Sequence, residues 1–325
     1  MEKLKTQYLG LDIKNPLVVS SSGLTSSIEK IKRLEDAGAG AVVVKSLFEE
    51  QIDIETTALN YYSYSPEAYD YISEYARDNS INHHLEMIAE AKKECTIPII
   101  GSISCISGRE WVSFAKRFED AGADALELNL YILPLDITID SVEIEQVYLE
   151  TIAQVCSHVS IPVSVKLGQY FTNIPGLVKE IYYRGAKGVV MFNKFYEPDI
   201  DIENLKQVNH DIFSNPSDSR SVLRWLSITS ALVSGIDYSA STGIHDGTNA
   251  VKALLAGANT IQVCSALYQN GLSVITDILE FICAWMKRHN YTNISDIVGT
   301  MNYANSSDPL AYERTQFMKY YSSHK

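Results

Sequence analysis

The sequence predicts a (β/α)8 barrel, and three observations carry that prediction. Four stretches repeat one pattern, at 37–45, 121–129, 184–193 and 256–263: a helix stopped by a glycine cap, then an apolar run that closes on or just before a polar side chain. Four further apolar runs, at 16–20, 97–102, 161–166 and 236–239, bring the candidate strands to eight. Apolar strands alternating with helices make a parallel sheet covered by helices, and eight such units in about 250 residues match a closed barrel. A doubly wound open sheet is the rival, but no Gly-rich dinucleotide fingerprint follows the first strand.

Taken in order, the chain opens on a hairpin ahead of the first strand. Ser26 and Glu29 have capping-box spacing before the stripe Ile28, Ile31 and Leu34, and Ser107 and Glu110 repeat it before Trp111, Phe114 and Phe118. His83 and His84 fall in a helix start ahead of Met87 and Ile88 and read as surface or capping residues. Pro175 opens the fifth helix, and Ile275, Ile278, Ile282 and Trp285 form the inward stripe of the eighth. The barrel is expected over about residues 8–290 of a single domain, 1–325. A helical tail follows at 291–325, where Arg314, Phe317, Tyr320 and Tyr321 have helical spacing.

Composition agrees with one domain, since 46% of the 325 residues are hydrophobic and no low-complexity tract or linker divides the chain. A net charge of −13 disfavours nucleic acid and anionic membranes as partners, because binding a polyanion needs lysines and arginines to neutralise it. Small molecules are the expected partners. No apolar run reaches membrane-spanning length and the first residues have no signal-peptide core, so the expected location is cytoplasmic. The five cysteines are widely spaced with no CxxC, which predicts neither a disulfide framework nor a zinc site.

Barrel chemistry sits at the C-terminal strand ends, and here those ends are polar: Ser20 to Gly23, Lys45 and Ser46, Ser102 and Ser104, Asn129, Lys166, Asn193 and Lys194, Ser241 to Gly243, Cys264 and Ser265. A lysine ending an apolar strand is costly without a counter-charge or ligand, and two occur, Lys45 and Lys166. One reading is a structural ion pair with Glu127 or another acid in the barrel; the other is a polar, planar, anionic ligand. Small residues after the last two strands are either plain tight loops or a phosphate site on backbone N–H groups. A phosphate at one side and a lysine deep at another match a long flat cofactor, and flavin mononucleotide (FMN) has that shape.

The segments 9–23, 38–46, Glu127–Leu130, Val165–Leu167 and 257–263 together resemble the dihydroorotate dehydrogenases, over about residues 8 to 300. The opening is similar to the soluble class 1 enzymes. The resemblance implies an FMN-dependent oxidoreductase that converts dihydroorotate, or a related ring, to orotate in pyrimidine biosynthesis. It implies cofactor contacts for Ser21, Ser22, Gly23, Lys45, Ser46, Asn129, Lys166, Phe192, Thr242, Gly243, Cys264 and Ser265, and substrate contacts for Asn60, Asn129 and Asn193. It also implies a homodimer or another homo-oligomer. The family's catalytic Cys or Ser is replaced by Ile132, which has no proton chemistry. Lys45 and Tyr131 are therefore the candidate catalytic residues, with Tyr61 and Cys105 as further candidates.

The segment Ser214–Arg220, with Arg224 one turn on, replaces a glycine-rich family segment and reads either as a capped helix start or as an anion clamp. Four functional readings follow. The chain oxidises dihydroorotate; it binds FMN without turning dihydroorotate over; it acts on a different substrate; or it is a flavin-free phosphate-sugar barrel. A tRNA-reducing flavin barrel is disfavoured by the acidic charge.

Overall fold

A short hairpin, β1 (Thr6–Tyr8) and β2 (Leu11–Ile13), leads into the computed structural model, which describes residues 2–49, 81–105, 108–195, 197–209, 212–308 and 312. The parallel strands are β3 (Leu17–Val19), β4 (Ala41–Val43) with its short continuation β5 (Leu47–Phe48), β6 (Ile99–Ser104), β7 (Ala125–Asn129), β8 (Val163–Leu167) and β9 (Gly188–Met191). An antiparallel hairpin, β10 (Pro198–Asp201) and β11 (Lys206–Asn209), interrupts them before β12 (Asp237–Ser241) and β13 (Thr260–Val263). Pairing runs β3–β4–β6–β7–β8–β9–β12–β13 and returns to β3 through Leu17 opposite Ile261, so the sheet is a closed eight-stranded barrel.

The covering helices are α1 (Ile28–Asp36), α2 (81–94), α3 (Gly108–Asp120), α4 (Ser141–His158), α5 (Ile174–Tyr183), α6 (Ser219–Leu232), α7 (Gly247–Ala256), α8 (Ser265–Asn270) and α9 (Ser273–Arg288). The expected stripes face inward: Ile31 and Leu34 of α1, Trp111, Phe114 and Phe118 of α3, and Ile275, Ile278 and Ile282 of α9 are all buried. Gly38, Gly122, Gly185 and Gly257, the caps of the four repeats, have φ of 108°, 95°, 104° and 120°, the left-handed region that glycine enters without a Cβ penalty. Each repeat therefore turns from helix to strand in the same way.

Three details differ from the sequence reading. Ser27, not Ser26, caps α1, accepting from the Lys30 N–H, because the helix starts one residue later. Ser107 lies outside the described residues. The tail is turns rather than α-helix over the described residues 297–308: the N–H groups of Gly299 and Met301 bond to carbonyls of Leu254 and Leu255, tying this stretch onto α7. The β10–β11 hairpin escaped detection because its residues are mostly exposed and leave no apolar face to read.

The inside of the barrel is layered. At the N-terminal end Tyr8, Leu9 and Ile13 of the hairpin pack with Val18, Val43, Ile100 and Ala125 and plug the opening. Gly188 is required there, since a Cβ would come within 2.6 Å of Leu9 Cδ2. The Leu9 N–H donates to Asp237 Oδ2 at 2.6 Å, which fixes the plug to β12. Above it the interior turns polar, and above that it opens. Among the described residues no helix is long and apolar enough to cross a membrane, and no group of His, Cys, Asp and Glu could hold a metal.

Candidate active site

The polar strand ends converge on a trough at the C-terminal mouth of the barrel. One part, about 870 Å³, is lined by Ser21, Lys45, Ser46, Asn129, Ile132 and Lys166 among others. The other, about 440 Å³, is lined by Ser214, Thr242, Gly243, Cys264, Ser265 and Tyr268 among others. Ser21, Lys166, Asn193 and Lys194 line both parts, so the trough is continuous across the mouth. Most of the candidates chosen from sequence thus share one surface, because parallel strands in register end at the same height; Asn129, for example, stands opposite Lys166.

Lys166 is 6% exposed and Glu127 1%. The Lys166 ammonium donates to Ser20 Oγ at 2.9 Å and to Gln262 Oε1 at 3.1 Å, and lies 3.7 Å from Glu127 Oε1. Gln262 Nε2 donates to Glu127 Oε2 at 2.5 Å, while Glu127 Oε1 has no hydrogen-bond partner among the described residues. The ion-pair reading of Lys166 holds, since a buried carboxylate offsets the cost of burying the ammonium, and Lys166 also borders the trough. Lys45 is half-buried on the larger part; its backbone N–H donates to the Thr25 carbonyl at 3.1 Å, and its ammonium has no hydrogen-bond or ion-pair partner among the described residues.

Hydroxyls join the floor. Ser21 Oγ and Ser46 Oγ are 2.9 Å apart, the Ser46 N–H donates to Ser21 Oγ at 2.8 Å, and Ser46 Oγ is 2.7 Å from Ser102 Oγ. Ser22 accepts from the Leu24 N–H and caps the turn at Gly23–Thr25. Gly23 passes under Tyr268, whose Oη would be 2.8 Å from an added Cβ. Tyr268 stacks on Phe213 at 5.4 Å, and the pair closes this end of the trough.

Asn193 Nδ2 donates to Asn129 Oδ1 at 2.8 Å. That bond leaves the Asn129 amide N–H2 and the Asn193 side-chain carbonyl oxygen without a hydrogen-bond partner among the described residues, so the two lining residues offer donor and acceptor capacity. The pair complements the N–H and C=O edge of a cyclic amide.

At the other end Thr242 and Gly243 both have positive φ, 79° and 80°. Thr242 Oγ1 donates to the Phe192 carbonyl at 2.9 Å, and a Cβ on Gly243 would sit 2.3 Å from the Ser219 nitrogen. Ser265 Oγ accepts from the Ser214 N–H at 3.0 Å, and Ser214 Oγ is 3.0 Å from His245 Nε2. Burial pushes the Cys264 thiol up, so it stays protonated, and desolvation holds His245 below the ordinary imidazole range. Two tight turns, hydroxyls and glycine approach at one end, with lysines and amides at the other, fit FMN in shape and donor chemistry.

Several expectations need correction or relocation. The Phe192 side chain is fully buried in the core and borders neither part of the trough; only its carbonyl participates, by anchoring Thr242. Arg224 is not among the residues lining either part of the trough and donates instead to the Tyr312 carbonyl at 2.7 Å. Ser214–Arg220 is a capped turn: the Asn215 N–H donates to Asp218 Oδ2 at 2.9 Å before α6 begins. Asn60 and Tyr61 lie outside the described residues. Tyr268, Phe213 and Gln262 were not among the candidates, and Lys194, named at its strand end but given no role, borders both parts of the trough.

At the position of the replaced base, the Ile132 N–H donates to Tyr148 Oη at 2.9 Å, and the Ile132 side chain packs against the core while bordering the trough. Tyr131 is 48% exposed, its ring lies 4.4 Å from that of Phe195, and its hydroxyl has no hydrogen-bond partner among the described residues. Cys105 borders the same part.

Comparison with known proteins adds the last observation. The family model described as dihydroorotate dehydrogenase matches residues 3–286. Over 312 residues the chain is 25% identical to the catalytic subunit of dihydroorotate dehydrogenase B (NAD(+)) of Thermoplasma volcanium, covering 92% of this chain and 98% of that protein. It is 26% identical to the protein of the same name from Methanocaldococcus jannaschii, covering 91% and 97%. A putative dihydroorotate dehydrogenase A (fumarate) of Aeropyrum pernix is 29% identical over 66% of this chain and 71% of that protein.

Proposed function

Because the chain belongs to the dihydroorotate dehydrogenase family, we propose that it is an FMN-dependent oxidoreductase that oxidises a CH–CH bond in a small cyclic amide at the barrel mouth. The observation that carries this reading is the continuous trough, with hydroxyls and glycine turns at one end and the Asn129–Asn193 pair beside Lys45 and Lys166 at the other. When bound, FMN would supply the two-electron acceptor.

The residues that would hold it are Ser21, Ser22, Gly23, Ser46, Lys166, Thr242, Gly243, Cys264 and Ser265. Lys45 and Lys166 set positive charge along the trough, which favours a ligand that gains electrons. Asn129 and Asn193 would orient the amide edge, and Ile132 would keep water from the reacting face without taking a proton. Removal of the substrate proton then falls to the Tyr131 hydroxyl, which borders that wall and has no hydrogen-bond partner among the described residues, while Lys45 remains the cation of the same lining.

Ile132 favours a second reading within the same class, a substrate other than dihydroorotate. The test is an anaerobic flavin spectrum of the FMN-reconstituted protein before and after dihydroorotate. Bleaching near 450 nm supports dihydroorotate oxidation. A flavin that stays yellow with dihydroorotate but bleaches with dithionite rules dihydroorotate out and leaves the second reading to be tested with other cyclic amides, and no flavin uptake overturns both.

A further inference from the structure

Behind Ile132 lies a third cavity, about 520 Å³, walled by Ile132, Ile144, Tyr148, Tyr170, Phe171 and Phe195. Ile132, Ile144 and Phe195 border the trough as well, so the chamber and the trough share a wall. Aromatic rings set its shape: Tyr170 stacks on Phe195 at 5.8 Å, and Tyr148 meets Phe171 edge-on at 5.4 Å. Gly168, just past β8, makes room for this arrangement, since a Cβ there would come within 2.7 Å of Phe195 Cζ.

Glu145 is the one charged side chain among the described lining residues, which disfavours an anionic occupant and suits a neutral one. Tyr170 is 72% exposed at the rim, so an apolar group entering the chamber would remove aromatic surface from water that the free protein leaves wet. A free carboxylate, such as the one dihydroorotate carries, finds no cation in this chamber. The catalytic position of the family has thus become part of an apolar wall.

We propose that this chamber receives a neutral apolar arm, aryl or alkyl, carried by the cyclic-amide substrate. The assignment rests on the oxidoreductase reading above and narrows its substrate class to rings larger and less polar than dihydroorotate.

The test is calorimetric titration of uracil, 5-benzyluracil and 6-benzyluracil into the full-length protein, with and without FMN, repeated on Ile144→Asp and Tyr170→Ala. At least one benzyl compound is expected to bind tenfold or more tighter than uracil, with the advantage lost in Ile144→Asp and reduced in Tyr170→Ala. Tyr170 is exposed, so its variant keeps the test decisive even where Ile144→Asp loses the fold by circular dichroism. Equal affinities for the three compounds, no binding of any of them, or an advantage undiminished in both variants overturns the proposal. FMN uptake with no benzyl advantage removes the chamber and leaves the flavin reading standing. A benzyl advantage without FMN uptake upholds the chamber and removes the flavin reading.

Discussion

Ile132 decides more about this site than any other single side chain. Its backbone is held by Tyr148 and its side chain packs against the core, so the loop after β7 puts an aliphatic group at the position where the resemblance expects the family's base. Ile132→Cys is expected to raise the rate of flavin reduction by dihydroorotate by about two to four orders of magnitude, the usual worth of a positioned general base. Stopped-flow absorbance at 450 nm measures it, and an unchanged rate would show that substrate binding, not proton transfer, is what this chain lacks. Lys166 illustrates the limit of reading residues singly. Its cost at a strand end pointed to a counter-charge or a ligand, and Glu127 was the named partner, but Gln262 and Ser20 join it from positions 96 and 146 residues away, and no local pattern reports such contacts.

At the scale of elements, the glycine caps and apolar runs made all eight barrel strands legible, because each αβ turn is a local event with a local signature. What lay beyond reach was set by tertiary packing: the stacking of Phe213 on Tyr268, the anchoring of the tail by Arg224, and the one-residue shift of the α1 cap to Ser27. The loop after β12 is the element most exposed to a backbone test. Gly243→Ala adds a Cβ at positive φ and 2.3 Å from the Ser219 nitrogen. It should cost on the order of 1–3 kcal/mol of stability by thermal or urea unfolding and weaken FMN uptake at least tenfold.

The segment 214–218 carries a pH dependence through His245, which bonds Ser214. Desolvation lowers the folded imidazole pKa below its ordinary value of 6.5. Between the two values the unfolded chain binds the extra proton, so this contribution to stability is present above pH 6.5 and declines as pH falls through it, levelling below the folded pKa. His245→Gln is expected to flatten that part of the profile of urea midpoint against pH, and a profile identical to the parent's would rule His245 out as its source.

For the whole molecule, the net charge is −13, while the closed barrel brings the cations Lys45 and Lys166 together at its mouth. A hairpin plug at one end of the barrel and the trough at the other put the strand-end residues on the open mouth, which is why they included most of the candidate lining.

The closure of the ring also governs how the chain comes off the ribosome. Leu17 must wait for Ile261 before β3 has its second neighbour, an interval of about 12–50 s at ordinary elongation rates. Until β13 is made, any sheet built from the earlier strands has two unsatisfied edges, the arrangement that invites mispairing with neighbouring chains.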